Sequence, residues 1–168
     1  MKKATLFGGT VNDTTTKEYK DTVLIGKLLA EKGYIVISGG YRGMMEAVSK
    51  GAVENGGTAI GVTCADFKST KGNKYLTTTV VADDIFRRLR NLIISSDVFI
   101  VQKGGIGTLS ELFLTWDILR KQDNPLEIYL IGDHWHDIIN AIEPLLSDKE
   151  WDIPITCKDY KEFEILFE

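Results

Sequence analysis

Short runs of apolar residues alternate with stretches whose apolar positions recur at spacings of three and four, along almost the whole chain. That alternation is the signature of βα units stacked into a parallel sheet with both faces covered. The fold class is therefore α/β, a Rossmann-like three-layer αβα arrangement with a mainly parallel sheet. The first strand is Ala4-Phe7, followed by the loop Gly8 to Asp13 and a helix carrying Tyr19, Val23, Leu24, Leu28 and Leu29 that stops at Gly33. Tyr34-Ser38 is a second strand. It leads through Gly39-Gly40-Tyr41-Arg42-Gly43 into a helix with Met44, Met45, Val48 and Ala52 on its inner face, which Gly56-Gly57 ends. Thr58-Thr63 is the third strand.

From Cys64 to Thr79 the pattern lapses into polar residues, which predicts an exposed loop or lid. A short extended piece at Thr79-Ala82 precedes a helix over Asp84-Ser95 and a strand over Val98-Gln102. The next helix carries Leu109, Leu112, Phe113 and Trp116, which read as core. Asn124-Pro125 breaks the chain, Glu127-Ile131 is another strand and Ile138-Leu146 a further helix. Ile153-Cys157 and Asp159-Phe167 form a last strand and helix. No repeat or linker interrupts the sequence, so one domain over residues 1–168 is expected.

Three of the expected strands end in paired glycines: Gly8-Gly9, Gly39-Gly40 and Gly104-Gly105. In an open parallel sheet such turns share the carboxyl edge, where ligands bind at the switch in strand order. Tight turns also use glycine simply to reverse direction, and both readings stand at this point. The third turn is the most informative. Gly104-Gly105-Ile106-Gly107-Thr108-Leu109-Ser110-Glu111 follows an apolar strand and opens a helix, whose unpaired N–H groups and dipole favour a phosphate. Glu111 is read either as a first-turn acid facing the helix dipole or as a catalytic carboxylate.

Composition narrows the ligand. Hydrophobic residues make up 43% of the 168, enough for a substantial core, and the net charge of −4 with no basic stripe argues against nucleic acid or a membrane surface as partner. A small molecule fits better. No apolar leader or span precedes Ala4-Phe7, so a cytoplasmic location is expected. Cys64 and Cys157 lack metal-like spacing and read as reduced thiols. No Gly-Lys-Ser/Thr follows a glycine turn, which excludes a P-loop, and the third glycine of a dinucleotide fingerprint is missing. A nucleoside monophosphate is easier to house.

These residues resemble the LOG family of cytokinin riboside 5′-monophosphate phosphoribohydrolases, long mislabelled as lysine decarboxylases. Gly104 to Glu111 matches the family's Pro-Gly-Gly-x-Gly-Thr-x-x-Glu after its proline. Leu6-Phe7-Gly8-Gly9-Thr10 is similar to the first strand and Gly-Ser turn, and Gly39-Gly40-Tyr41-Arg42-Gly43-Met44-Met45 to its Gly-Gly-x-x-Gly-Leu-Met. Counting back from Ser96-Asp97, the family's essential arginine falls on Arg88. Lys103 replaces the proline, Phe86-Arg87 replaces a His-Glu pair, and Leu89 a lysine. With Arg90-Asn91, these departures also resemble a branch of molybdenum-cofactor carrier-like proteins.

The resemblance implies hydrolysis of the N-glycosidic bond of a purine-type nucleoside 5′-monophosphate to free base and ribose 5-phosphate. The alternative is a non-catalytic nucleotide or molybdenum-cofactor binder. Glu111 and Arg88 are the expected catalytic residues, Glu111 stabilising an oxocarbenium-like ribose and orienting water. Arg88 could equally be a surface ion-pair partner. Gly104, Gly105, Ile106, Gly107 and Thr108 hold the phosphate, with Gly8, Gly9, Thr10, Gly39 and Gly40 on the sugar and base side. Tyr41 is available for stacking or for ordinary packing, and Arg42 is either a phosphate neighbour or a solvated charge. His134-Trp135-His136 reads as a loop before a helix rather than a metal site, and no metal or other cofactor is expected. The resemblance also implies a homodimer or higher homo-oligomer.

Overall fold

A computed structural model of the chain describes residues 1–123, 125–147, 150 and 153–167. Seven strands form one sheet in the order β4-β3-β2-β1-β5-β6-β7, and every neighbouring pair is parallel. The strands are β1 (Lys3–Phe7), β2 (Ile35–Ser38), β3 (Ala59–Cys64), β4 (Thr78–Ala82), β5 (Val98–Val101), β6 (Ile128–Ile131) and β7 (Pro154–Cys157). The helices between them are α1 (Lys17–Glu31), α2 (Met44–Glu54), α3 (Ile85–Ile94), α4 (Ile106–Leu119), α5 (His134–Ile142) and α6 (Tyr160–Leu166). The expected break at Asn124-Pro125 falls partly on Asn124, outside the described residues. Among the described residues no helix is long and apolar enough to cross a membrane.

Inside its edges the sheet is buried on both faces, which is why the inner strands read as near-continuous apolar runs. Side chains alternate between two cores. Leu6, Val98, Ile100, Tyr129 and Ile131 meet α1, α2 and α6 on one face, through Ile25, Leu29, Met44, Val48 and Phe163. Phe7, Phe99, Val101, Ile128 and Leu130 meet α3, α4 and α5 on the other, through Leu92, Leu112, Trp116 and Trp135.

Three local expectations need correction. The piece at Thr79-Ala82 is a full edge strand, paired from Ile60↔Thr78 to Cys64↔Ala82. Its polar, exposed first residues hid it, because only one of its edges is paired. α5 begins at His134, four residues before the predicted start, because Trp135 and Ile139 lie one turn apart and both bury. Phe113 is 38% exposed beside Trp116, since Leu112 and Trp116 define the inner stripe of α4 and Phe113 lies on its flank.

The helix that carries Arg88 is fixed at both ends. Asp84 caps α3 by accepting from the Arg87 N–H at 2.8 Å. At the other end the buried Thr5 hydroxyl of β1 donates to the Leu92 carbonyl at 2.9 Å and lies 2.5 Å from the Ser96 hydroxyl. Strand and helix are thereby held in register.

Candidate functional site

The strand order reverses beside β1, so the carboxyl ends of β1 and β5 open the crevice that this topology offers to ligands. There the two glycine turns touch. The Gly9 N–H donates to the Lys103 carbonyl at 3.0 Å, and a Cβ on Gly9 would stand 2.8 Å from the Gly104 Cα. A Cβ on Gly104 would in turn collide with the Thr108 hydroxyl. Both positions need glycine for packing. Gly105 and Gly107 differ: a Cβ on either would meet no neighbouring atom within 4 Å, and both line a cavity of about 490 Å³.

This cavity gathers most of the residues singled out from the sequence. Gly8, Gly9 and Thr10 form one wall, Gly105, Gly107 and Thr108 another, with Arg88 and Glu111 between. Four expected residues stand elsewhere. Gly104 is spent on the contact with Gly9, and Ile106 is 84% exposed and does not line the cavity. Gly39 lies behind Arg88, where a Cβ would collide with the guanidinium. Gly40, at φ +79°, packs against Gly61. The Gly39-Gly40 turn therefore supports Arg88 from behind and does not line the cavity.

Arg88 is held by three acceptors. Its Nε donates to the Val62 carbonyl at 2.9 Å, its Nη2 to the Gly39 carbonyl at 3.3 Å and its Nη1 to Glu111 Oε1 at 3.4 Å. Its side chain is only 7% exposed, which rules out a solvated surface ion pair. The guanidinium carbon also sits 5.4 Å from the Phe67 ring centre and 5.7 Å from that of Tyr41.

Glu111 occupies the second turn of α4, whose first turn has no acid, so the helix-dipole reading of this residue fails on position. Its side chain is 13% exposed. Burial raises its pKa to about 7, and the opposing pull of Arg88 is too weak to restore it to the usual carboxylate range. The single 3.4 Å contact explains that weakness. A carboxyl group titrating near neutrality can hold or release a proton under ordinary conditions.

Tyr41 is more than a stacking surface. Its hydroxyl accepts from the Cys64 N–H at 3.1 Å and donates to the Ser69 carbonyl at 3.0 Å, pinning the polar loop after β3. Asn73 adds a second anchor, donating from its backbone N–H to the Gly40 carbonyl at 2.8 Å. This fastening brings Phe67 to the cavity wall, a residue that sequence reasoning missed. Its only signal was being one of two aromatics, with Tyr75, in a mostly polar stretch. Lys103, in place of the family proline, is exposed and pairs with Glu18 of α1 at 3.4 Å. His134 and His136 lie in the first turn of α5, and among the described residues no three His, Cys, Asp or Glu side chains form a metal-binding group.

Comparison with known proteins agrees with this picture. A cytokinin riboside 5′-monophosphate phosphoribohydrolase of Rhodococcoides fascians is 27% identical over 168 residues, covering 94% of this chain and 85% of the relative. An uncharacterized protein of Archaeoglobus fulgidus is 37% identical over 102 residues, 56% of this chain and 61% of that protein, so the chain matches less than two thirds of its length. Among solved structures, TM1055 superposes with a TM-score of 0.80 at 28% identity, covering 99% of this chain and 98% of its own. The molybdenum cofactor binding protein of Rippkaea orientalis gives 0.78 at 23% identity, covering 99% and 95%, a likeness of fold. Residues 2–125, which include the glycine turns, Arg88 and Glu111, match the SLOG cluster4 family, and the chain belongs to this LOG-like family.

Proposed function

We propose that the chain is a phosphoribohydrolase, which cleaves the N-glycosidic bond of a purine-type nucleoside 5′-monophosphate to free base and ribose 5-phosphate. The observation that carries this reading is the buried Arg88–Glu111 pair set beside an open helix N-terminus in one cavity. The 5′-phosphate rests on the N–H groups of Gly105, Gly107 and Thr108, with the Thr108 hydroxyl as a further donor. The open space over Gly105 and Gly107 supports that placement. Binding energy from the phosphate then orients the ribose toward Glu111.

In the reaction the C1′–N bond breaks as a water oxygen bonds to C1′. Ionised Glu111 offsets positive charge on the ribose and takes the water proton, which then passes to the departing base nitrogen and returns Glu111 to its ionised form. Arg88 sets a fixed positive charge beside the carboxylate and offers its Nη1 edge to a ribose hydroxyl. One nucleotide-binding domain over residues 1–168 carries the whole site. The named activity of the Rhodococcoides relative supports the reaction class. Incubation with AMP, GMP and N6-isopentenyl-AMP, followed by chromatography for free base, tests it. Release that Glu111→Gln abolishes is the expected result, and no release from any of the three would overturn it.

A second reading is a carrier that binds without turnover. It is favoured by Phe86, 79% exposed where the hydrolases have a histidine, and by the fold likeness to the Rippkaea protein. A ligand retained through purification, with no product formed, is its signature.

The same helices support self-association. Phe86 and Ile94 of α3, with Phe113 and Leu114 of α4, are exposed apolar residues on the two helices that carry Arg88 and Glu111. A homodimer or larger homo-oligomer is expected in light scattering, and a monomer at high concentration would remove it. Buried, unpaired Cys64 and Cys157 accord with a reducing, cytoplasmic setting.

A further inference from the structure

We infer that the ligand of this site carries a second anionic group, phosphoryl or carboxylate, and that Arg42, Lys71 and Lys74 receive it. This rests on the nucleotide reading above. A second concavity of about 560 Å³ adjoins the first, and Thr10 and Tyr41 line both. Arg42, Lys71 and Lys74 line the second one, and all three are exposed. Among the described residues none of the three forms an ion pair. Lys74 lies 5.0 Å from the Tyr75 ring centre, and Glu46 is the one carboxylate among the lining residues. Three cations facing one acid is a local excess of positive charge in a chain of net charge −4. A concavity lined this way attracts an anion.

Position ties this charge to the first cavity. Thr10 follows Gly9, whose backbone rests on Gly104, so the second concavity begins one residue beyond the turn that packs against the loop before α4. The backbone bearing Lys71 and Lys74 is fastened to the Gly40-Tyr41 turn. Asn73 donates from its N–H to the Gly40 carbonyl at 2.8 Å and from its side chain to the Tyr41 carbonyl at 3.0 Å. The lysines therefore start from a fixed base in the concavity that shares Thr10 and Tyr41 with the first. A monophosphate seated at α4 leaves them unused. A ligand with a second anion engages both ends.

Calorimetric titration at low ionic strength tests this with AMP and two probes. ADP extends AMP from its phosphate, and N6-(1,2-dicarboxyethyl)-AMP extends it from the base. At least one is expected to bind about tenfold more tightly than AMP, and the one that does identifies the end that bears the second anion. The combined Arg42→Gln, Lys71→Gln and Lys74→Gln variant should lose that advantage while binding AMP within about threefold of the parent. Added salt should erode the advantage in the parent. If neither probe exceeds AMP, or the advantage survives in the combined variant, the inference is overturned and the nucleotide reading stands on AMP alone. If none of the three ligands binds, both fall together.

Discussion

Glu111 Oε1 meets Arg88 Nη1 at 3.4 Å, while the remaining hydrogen bonds of the guanidinium go to the backbone carbonyls of Val62 and Gly39. The arginine is thus fixed by the sheet and the carboxylate is not fixed by the arginine. Arg88 supplies a stationary charge, and Glu111 keeps the freedom to change its protonation.

Stability should report that freedom directly. With its folded pKa raised above 4.5 to about 7, Glu111 keeps a proton in the folded state that the unfolded chain has already released. Between these values the folded state binds more protons, so stability falls as pH rises, and the loss levels off above the folded pKa. Its full size is about 3 kcal/mol. Glu111→Gln lacks this dependence, so its melting temperature should gain on the parent from pH 5 to pH 8. Parallel melts across that range check the difference, and parallel curves would contradict it.

The same ionisation should appear in turnover. On the proposed mechanism kcat/KM for AMP rises with pH through a group titrating near 7, since ionised Glu111 is the active form. Arg88→Ala removes the opposing positive charge, and the rising limb should then move to higher pH along with a loss of rate of about 10² or more. A pH–rate profile of both proteins measures the shift.

Gly107→Ala separates ligand space from folding. The added methyl meets no neighbouring atom within 4 Å, and alanine favours the helix over glycine. Stability should rise by about 0.5–1 kcal/mol. Phosphate binding should weaken at least about tenfold, because the methyl enters the space the anion needs. Thermal melts and AMP titration of the same sample provide both numbers.

Gly39→Ala should do the reverse of a surface change at a distance from the ligand. Its methyl collides with the Arg88 guanidinium, so the arginine must move off the Gly39 carbonyl. Overpacking of this kind costs about 1–3 kcal/mol. Turnover should fall as strongly as in an Arg88 variant, although Gly39 does not line the cavity. Activity at the parent's level would show that Arg88 tolerates displacement.

Tyr41→Phe keeps the ring beside Arg88 and removes the hydroxyl that joins Cys64 to Ser69. The loss should be about 1–2 kcal/mol, concentrated in the loop from Ala65 to Leu76. Limited proteolysis should cut that loop faster in the variant, with little change elsewhere in the chain.

The parallel α/β fold was legible because both sheet faces are buried, which leaves the continuous runs Leu6-Phe7 and Val98 to Val101 without polar interruption. α3 was legible to its caps, since Asp84 announces the start and Ser95 the end. The first residues of β4 were not, because an edge strand exposes polar side chains and its pairing depends on β3 alone. Within the site, the motif marked Glu111 and the family spacing marked Arg88. Sequence could not divide the glycines into those that pack, Gly9, Gly39 and Gly104, and those that face open space, Gly105 and Gly107. That division depends on which backbone approaches which, and Gly9 and Gly104 are distant in the chain.

The approach of Gly9 to Gly104 couples occupancy to assembly. The floor of the cavity is complete only when the opening strand has paired with a strand formed from the second half of the chain. A molecule seated there recognises the assembled state and has nothing comparable to bind in the unfolded chain. At a concentration about a hundred times its dissociation constant it adds roughly 2.7 kcal/mol to the unfolding free energy. If the proposed ligand is the one that seats there, cellular lifetime and nucleotide supply become linked variables, and depletion of the ligand shortens the one by withdrawing the other.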